Sequence, residues 1–395
     1  MGLVQTVKAG CSYLASCVKS LPEDSLENFY INRFGRVLYS MFFQSYTQKL
    51  WGRSPKDISP DWGAQRVKGL SIRALLKDCL SKMLPHGKNR DVETSLIEEF
   101  LYPKYGPGQL WELAAAEIVE RGGKIVRGAG VDEILCRDNM VCGVGFVRGD
   151  KSREKLGADI LLSSMPLTDL LDSMGKTVPE HIKTVARGLP YRDFVTVGVL
   201  VEELALRNNT RIPTLNRLVP DCWIYVQDAG IKMGRIQIFN NWSPYMVSDA
   251  EHKVWIGLEY FCDEGDPYWN LPDDQWAGLA SKELVQMGVL ESGKAVLDFH
   301  VEKVKKAYPA YFDTYKDIPT LRTWLDGFEN LYCIGRNGQH RYNNMDHSMA
   351  TAMEAVANII SGKKTKENVW GVNTEKEYHE QGRSGALSGE YKMNT

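Results

Sequence analysis

Residues 331 to 356, LYCIGRNGQHRYNNMDHSMATAMEAV, combine a glycine with arginine, histidine, tyrosine and asparagine side chains. The apolar start predicts a buried strand that ends at Gly335, where the missing Cβ lets a ligand approach the backbone. Asn344 or Asp346 is placed to cap the following helix, so its first N–H groups point back toward the glycine. This arrangement suits an anionic or electron-rich ligand, although a plain strand–turn–helix connection with a solvated loop gives the same pattern.

A second glycine-containing helix start lies in YGPGQLWEL, residues 105 to 113. Gly106 and Gly108 precede a helix that is predicted to begin near Gln109, so N–H groups again lie beside residues with little side-chain bulk. The segment is not a complete Gly-x-Gly-x-x-Gly motif, because Trp111 occupies the third glycine position. Taken alone, it is equally well explained as an ordinary turn before a helix.

The surrounding sequence predicts the elements that position these residues. Residues 1–103 repeat apolar and aromatic residues at helical spacing, which predicts a helical layer. Residues 104–184 predict a helix and short strands, and residues 185–320 alternate as the strands of an antiparallel sheet do. Residues 321–362 form the strand–turn–helix, and the polar residues 363–395 predict a loosely held tail. The fold class predicted is therefore mixed α/β.

Composition excludes several classes of function. The 395 residues are 43% hydrophobic and 25% charged, which is typical of a globular protein with a large core. The net charge of −2 is spread without a basic stripe, so we predict no nucleic-acid partner. Since no apolar run approaches about 20 residues, we also predict no membrane span.

The eight cysteines include no Cys-x-x-Cys pair, and none lies near a histidine at zinc-ligand spacing. We interpret them as reduced core thiols of a cytoplasmic protein. His340 and His347 could share a helical face, but a third ligand is missing, so we predict no metal site.

Three segments together resemble the flavoprotein superfamily that contains monoamine oxidases, protoporphyrinogen oxidases and UDP-galactopyranose mutases. SYTQKLWG, with Tyr46, Lys49 and Trp51, is similar to the Y-T-x-K-x-W-G segment that lines the mutase substrate cleft. YPKYGPGQLWE and the following GGKIVRGAGVDEI resemble the superfamily's glycine-containing helix start and a strand whose backbone contacts the adenine of FAD. IGRNGQHRYNNMD is similar to the C-terminal G-R-x-x-x-x-x-Y-x-D-M motif, whose glycine meets the FAD pyrophosphate.

The resemblance implies FAD as the cofactor and a small molecule as the substrate. The residues implied to hold FAD are Gly106, Gly108, Gln109, Leu110, Val131, Gly335, Arg336, Asn344 and Met345. Arg336 would also stabilise negative charge near the reduced flavin, and Tyr342 and His340 would face the substrate as catalytic residues. The residues implied to bind substrate are Tyr46, Lys49, Trp51 and Tyr342.

Two positions depart from the mutase pattern. His340 stands where the mutases usually have tyrosine, and Asn344 replaces their aspartate. These changes favour an oxidoreductase of the amine oxidase or protoporphyrinogen oxidase type, which transfers hydride from a small organic substrate to flavin N5. A mutase acting on a nucleotide sugar is the alternative enzyme. A non-catalytic remnant or partner subunit is the third hypothesis.

Members of the superfamily open with a βαβ unit that carries Gly-x-Gly-x-x-Gly. The first hundred residues contain no such motif. We therefore expect a truncated or misannotated product, a separate chain that supplies the dinucleotide-binding unit, or a protein that no longer holds FAD tightly. Residues 104–184 and 321–362 would then form a partial FAD-binding domain, interleaved with a substrate lobe made of residues 1–103 and 185–320.

Overall fold

The structure, a computed structural model, describes residues 2–66, 92–93, 101–291, 296–372 and 379–380. The described residues fall into two compact units. The first contains Met1–Gln44, Pro55–Leu101 and Trp370–Thr395, and the second contains Ser45–Ser54 and Tyr102–Val369.

Helices and strands both contribute substantially, so the predicted mixed α/β class is confirmed. The α-helices of the described chain are α1 (Leu3–Val18), α2 (Leu26–Leu38), α3 (Ser45–Trp51), α4 (Pro60–Arg66), α5 (Gly108–Glu120), α6 (Leu167–Ser173), α7 (Glu180–Arg187), α8 (Phe239–Trp242), α9 (Asp273–Gln286), α10 (Ile318–Asp326), α11 (Gly335–Gly338), α12 (Met345–Ser361) and α13 (Glu367–Gly371). The strands are β1 (Val92–Glu93), β2 (Ala129–Arg137), β3 (Met140–Arg148), β4 (Arg153–Gly157), β5 (Leu161–Ser163), β6 (Tyr191–Val201), β7 (Trp223–Tyr225), β8 (Arg235–Ile238), β9 (Val254–Cys262), β10 (Asp298–Pro309), β11 (Leu331–Cys333) and β12 (His379–Glu380).

The first unit is mainly helical, as its aromatic periodicity predicts. Ser25 caps α2 by accepting a hydrogen bond from the N–H of Asn28 at 3.3 Å. Gly35 adopts a φ of 79° within α2, and a Cβ there would lie 2.7 Å from the nitrogen of Tyr13 in α1. The glycine therefore lets the two helices approach closely. The predicted helical layer also includes residues 67–91 and 94–100, which lie outside the described residues.

The second unit is built on a five-stranded antiparallel sheet with the order β10-β6-β9-β8-β7. One sheet face carries apolar side chains at alternate positions, and α9 covers it through Trp276, Ala280 and Leu284. The segments FVTVGVLV, CWIYVQ, RIQIFNNW and KVWIGLEYF predict β6 to β9, whereas β10 was not predicted. That strand lies at the edge of the sheet and carries several lysines, as exposed edge strands commonly do.

Two smaller sheets complete the second unit. β5 and β11 form a parallel pair of three residues each, and β2, β3 and β4 form an antiparallel sheet. Asn330 links the two sheets, because its side chain accepts from the N–H of Val141 at 2.9 Å and donates to the carbonyls of Val141 and Asp159, both at 2.7 Å. This linkage fixes the strand that leads to Gly335.

The chain just after residue 362 is ordered, because α13 forms at residues 367–371 and Lys366 is buried, donating to the Phe328 carbonyl. Most of the predicted tail lies outside the described residues. One sequence-based expectation needs correction. The cysteines are not all core thiols, since Cys11, Cys17 and Cys142 are exposed. Within the described ranges, no helix has both the length and the apolar character needed to cross a bilayer.

Candidate cofactor and substrate site

The turn between β11 and α12 leaves open space at its glycine. Gly335 has a φ of 73°, and its N–H donates to the Thr351 hydroxyl at 2.8 Å. A Cβ built there would meet nothing nearer than Ser348 Oγ at 3.9 Å and Ser164 Cβ at 4.0 Å. The left-handed backbone favours glycine, and the space beside it can receive a ligand.

A second glycine in this turn was not singled out from the sequence. A Cβ on Gly338 would lie 2.6 Å from the Ser163 carbonyl oxygen, closer than any side chain tolerates. The absent side chain thus lets α11 pack directly against the end of β5. Gly338 therefore positions the turn, whereas Gly335 leaves room beside it.

The helix after the turn is capped as the sequence predicts. Asn344 is the N-cap of α12, and a capping box joins it to His347, whose Nδ1 accepts from the Asn344 N–H at 3.4 Å. Ser348 Oγ donates to the Asn343 side chain at 2.9 Å. The neighbouring Met345 is more than half exposed. Asparagine in place of aspartate at the cap is therefore compatible with an intact helix start.

Arg336 holds the turn together while keeping its charge. Its Nε and Nη2 donate to the Asn343 carbonyl at 3.1 and 2.6 Å, and its Nη1 donates to the Ala307 carbonyl at 3.2 Å. The guanidinium also lies 4.9 Å from the ring centre of Tyr342 and 5.5 Å from that of Tyr308. Because these partners carry no formal negative charge, the positive charge beside Gly335 is not neutralised by them.

His340 does not present its ring to a substrate. It is fully buried, with its ring centre 4.7 Å from that of Tyr191, and its Nε2 lies 3.1 Å from the Ala310 carbonyl. Burial lowers the pKa of His340 to about 4, so the ring is neutral at physiological pH. The substitution of histidine for tyrosine therefore changes the core under the turn and not a substrate-facing surface.

The residues predicted to bind substrate on α3 have different environments. Lys49 Nζ donates to the carbonyls of Val226, Asp228 and Met233 at 2.9, 2.7 and 3.0 Å. Trp51 is buried, so it does not wall an open cleft. Lys49 and Trp51 are therefore engaged in holding the helix in place.

We expect Lys49→Met to lower the free energy of unfolding of the second unit by about 1.5–3 kcal/mol, because three carbonyls lose a charged donor. Urea denaturation followed by tryptophan fluorescence measures this change. Lys282→Met, at an exposed lysine of α9, is the control and should change the stability little. If the Lys49 and Lys282 variants have equal free energies of unfolding, Lys49 is not a structural residue and is better explained as one that binds a ligand.

The second face of the large sheet carries a buried polar cluster that the sequence did not reveal. Arg235 of β8 and Glu259 of β9 are directly opposite in the sheet and form a buried ion pair. Gln237 donates to Glu259 at 2.8 Å, and Arg235 donates to the Tyr308 hydroxyl at 2.7 Å. A polar network at this depth must be well connected to persist.

Tyr308 connects this cluster to the turn. A guanidinium can only donate, so the Tyr308 oxygen accepts from Arg235 and its own proton can be given to another acceptor. Its ring stacks on Tyr342, with centres 6.0 Å apart and planes inclined by 21°. Arg336, Tyr342 and Tyr308 thus form one continuous surface, and the buried Arg235 contacts it through the Tyr308 hydroxyl.

Exposed aromatic rings extend this surface to the edge of the sheet. Trp223 lies over the Arg235 guanidinium at 5.0 Å and stacks on Tyr225, and both rings are more than one-third exposed. Tyr225 in turn contacts Tyr46 of α3 edge to face, at 5.3 Å between ring centres. The structure therefore brings Tyr46 toward the same surface as Tyr342.

The other residues predicted to hold the cofactor lie at the start of α5 and in β2. Gly106 is buried with a φ of 83°, and Gln109 accepts from the Tyr105 N–H at 3.1 Å. Gly108 begins α5 with open space around it, as predicted, and Leu110 follows with its side chain exposed. Val131 is half-buried in β2, opposite Phe146.

Comparisons with known proteins agree on the architecture. A reduced UDP-galactopyranose mutase superposes with a TM-score of 0.73 at 18% identity, covering 96% of this chain and 78% of the mutase. An Exiguobacterium protein assigned as a protoporphyrinogen oxidase gives 0.58 at 14% identity, covering 90% and 72% of the two chains. The chain shares its fold with these two proteins.

A third solved structure extends the agreement. Wild-type putrescine oxidase bound to putrescine gives a TM-score of 0.52 at 11% identity, and the match covers 91% of this chain and 76% of that one. No protein-family model matches the sequence. The agreement therefore concerns the fold alone.

The residues of the turn are of the right kind for FAD. Gly335 leaves space where a pyrophosphate would approach, Ser348 in the first turn of α12 borders that space, and the cationic Arg336 follows Gly335 in the chain. These features fit one wall of a dinucleotide site. Two open hollows of the described chain include none of these residues: one is lined by Asp24, Ser25, Glu27, Asn28 and Lys56, and the other by residues between Glu202 and Leu297.

Proposed function

We propose that this chain carries the substrate-binding surface and one wall of the cofactor site of an FAD-dependent oxidoreductase that acts on a small organic molecule. The observation that carries the proposal is the turn at Gly335, with its open space and its positively charged neighbour Arg336. The fold shared with FAD-dependent proteins supports it. When bound, FAD would accept hydride from the substrate.

The side chains have distinct roles in this proposal. Gly335 admits the pyrophosphate, and Arg336 offsets negative charge on the cofactor. Tyr342 and Tyr308 present stacked rings to the substrate, and the Tyr308 hydroxyl proton is available for an acceptor atom on it. Tyr46 contributes from α3. The positions proposed for FAD at residues 106–110 and Val131 remain predictions.

The charges around the surface favour oxidation of a small substrate over rearrangement of a nucleotide sugar. A sugar diphosphate needs several cations to hold it. Lys49 is engaged by three main-chain carbonyls, Arg235 is paired with Glu259, and Arg192 is paired with Asp263. Among these four basic residues, Arg336 is the one next to Gly335. No acidic partner of Arg336 is found among the described residues. A diphosphate would therefore be poorly neutralised.

A mutase acting on a nucleotide sugar is the second candidate, and two observations favour it. The mutase superposes over more of this chain, and with a higher TM-score, than the oxidases do. The burial of His340 and the capping role of Asn344 also weaken the sequence argument against a mutase. A non-catalytic remnant or partner subunit is the third hypothesis, and flavin content separates it from both enzymes.

Two further parts of the proposal concern the dinucleotide-binding unit and the location of the protein in the cell. We propose that a dinucleotide-binding unit outside the described residues completes the cofactor site. We also propose a cytoplasmic location, since the described cysteines form no disulfide, and burial raises the pKa of Cys262 to about 11 and that of Cys333 to about 12. Thiols of this kind suit a reducing compartment.

Gly335→Val is the direct test of the cofactor wall. In the tagged chain recovered natively from its own cells, the variant should retain at least tenfold less flavin, a loss of about 1.4 kcal/mol or more in binding. Valine would project into the open space and would also strain the backbone. Flavin absorbance per mole of protein is the measurement.

Gly288→Val is the matched control. Gly288 has a φ of 70° and equally open surroundings at the end of α9, so it carries the same backbone strain without the proposed ligand. Its flavin content should match that of the unmodified protein. Equal flavin in both variants would reduce Gly335 to a turn residue, and flavin-free unmodified protein would favour the non-catalytic hypothesis.

A further inference from the structure

Strand β10 contains a bulge directly before Tyr308. Val304 of β10 lies opposite Phe194 of β6 in the sheet. Two residues nearer the start of β6, Arg192 lies opposite Tyr308, whereas a regular antiparallel ladder would place Lys306 there. A bulge of this kind re-aims the side chains that follow it. The position of Tyr308 along β6 therefore depends on the bulge.

A buried carboxylate holds the bulge at its strained residue. Lys306 has a φ of 51°, which lies in the left-handed region that residues other than glycine adopt at a cost in free energy. Its N–H donates to Asp193 Oδ1 at 2.5 Å, and Asp193 Oδ2 accepts from the Glu264 N–H at 2.8 Å. Asp193 is itself buried in β6. Its two acceptor oxygens therefore join the bulge to the turn that follows β9.

The carbonyls of the bulge bind the turn at Gly335. Asn337 Nδ2 donates to the Lys306 carbonyl at 3.0 Å. Arg336 Nη1 donates to the Ala307 carbonyl at 3.2 Å. Both donors belong to α11, the short helix that begins at Gly335. The conformation of the bulge therefore orients this turn as well as Tyr308.

The contacts of Tyr308 leave little room for another register. Its ring stacks on Tyr342 with centres 6.0 Å apart, and its hydroxyl accepts from Arg235 at 2.7 Å. A shift of two residues along a strand moves a side chain by about 6.6 Å. A displacement of that size would break both contacts. The bulge is thus the feature that brings Tyr308 to Tyr342.

We propose that Asp193 is a positioning residue, whose carboxylate holds the bulge at Lys306 and thereby places Tyr308 against Tyr342 and Arg336. It acts through the main chain of β10, since its two contacts are to the N–H groups of Lys306 and Glu264. The placement of Tyr308 depends on contacts within this chain. Its consequence for the reduction of flavin rests on the proposed function.

Fluorine NMR of the full chain, with 3-fluorotyrosine in place of Tyr308, tests the placement. Asp193→Ala removes both acceptor oxygens, and we expect the fluorine resonance to move at least halfway toward its position in the unfolded chain. Asp193→Asn keeps the shape of the side chain and one acceptor oxygen. It should shift the resonance in the same direction by a smaller amount, and it decides the test if Asp193→Ala does not fold.

Asn240→Ala is the matched control. Asn240 is also buried, and its side chain also joins two main-chain groups, the Lys253 carbonyl at 2.8 Å and the Trp255 N–H at 3.0 Å. Those contacts lie at the start of β9, whereas Asp193 is paired with Cys262 at its end. The control should leave the resonance of the fluorotyrosine in place. An unchanged resonance in the folded Asp193 variants, or an equal shift in the control, would overturn the proposal.

A second measurement separates this proposal from the proposed function. In the natively purified flavin complex, Asp193→Ala should retain most of its flavin, because the space at Gly335 and the two hydrogen bonds from Arg336 to the Asn343 carbonyl do not involve the bulge. A donor that bleaches the unmodified complex should reduce the flavin of the variant at least about tenfold more slowly. A shifted resonance in a protein whose unmodified form no donor bleaches would support the placement and count against the proposed function. An unshifted resonance would overturn the placement whatever the flavin does.

Discussion

Arg235→Met is expected to lower the free energy of unfolding of the second unit by about 3–5 kcal/mol, because it leaves Glu259 buried without its cationic partner. Gln237 continues to donate to Glu259, but one neutral hydrogen bond does not replace a guanidinium. Tyr308 also loses the donor that fixes its hydroxyl. Equilibrium urea denaturation of the two proteins, followed by tryptophan fluorescence, gives the difference.

Two companion variants make this result specific. Arg207→Met removes a cation from an exposed pair with Glu203 and should cost no more than about 1 kcal/mol. The double variant Arg235→Met/Glu259→Leu removes both buried charges and should recover much of the lost stability. If Arg235→Met lowers the free energy of unfolding no more than Arg207→Met does, the Arg235–Glu259 pair is solvated. The pair would then not hold Tyr308 and its neighbours in place.

Acid is expected to destabilise the second unit through His340. Its pKa is about 4 in the folded protein and about 6.5 when exposed, so between these values the unfolded chain binds a proton that the folded chain refuses. The contribution of the neutral His340 ring to the free energy of unfolding is fully present above pH 6.5 and is lost as the pH falls toward 4. With about 1.4 kcal/mol per pH unit, the loss approaches about 3 kcal/mol.

The measurement is the free energy of unfolding from pH 7 to pH 4 for the unmodified protein and for His340→Gln. The variant should show a flatter decline, because glutamine does not titrate. His181→Gln, at an exposed histidine, should leave the slope as it is in the unmodified protein. Parallel slopes for the unmodified protein and His340→Gln would show that the ring is hydrated in solution.

Local signals predict much of the turn from the sequence. The β11 strand, the break at Gly335 and the start of α12 at the Asn344 cap all depend on residues close together in the chain. The start of α5 is likewise predicted from neighbouring residues, because Gly106 lies just before the helix and Gly108 begins it. Resemblance to a flavoprotein superfamily then anticipated the fold that the solved structures share.

Long-range contacts decide the rest, and no local pattern contains them. Arg235 and Glu259 are each a polar residue within an apolar strand, and only the register of β8 against β9 makes them a pair. Lys49 was assigned to a ligand because its three carbonyl partners lie in a hairpin about 180 residues away. His340 was assigned to the substrate side because the sequence does not show the tyrosines that enclose it.

The central claim is tested most directly by mixing the natively purified flavin complex anaerobically with candidate amines or porphyrinogens and recording the flavin spectrum. We expect the oxidised flavin absorbance to bleach with a suitable donor. We expect UDP-galactose neither to perturb the spectrum nor to be interconverted by the reduced complex, because Lys49, Arg192 and Arg235 are engaged by carbonyl or carboxylate groups and are not free to hold a diphosphate. Saturable interconversion of the sugar without bleaching by any donor would contradict the account and establish the mutase reaction instead.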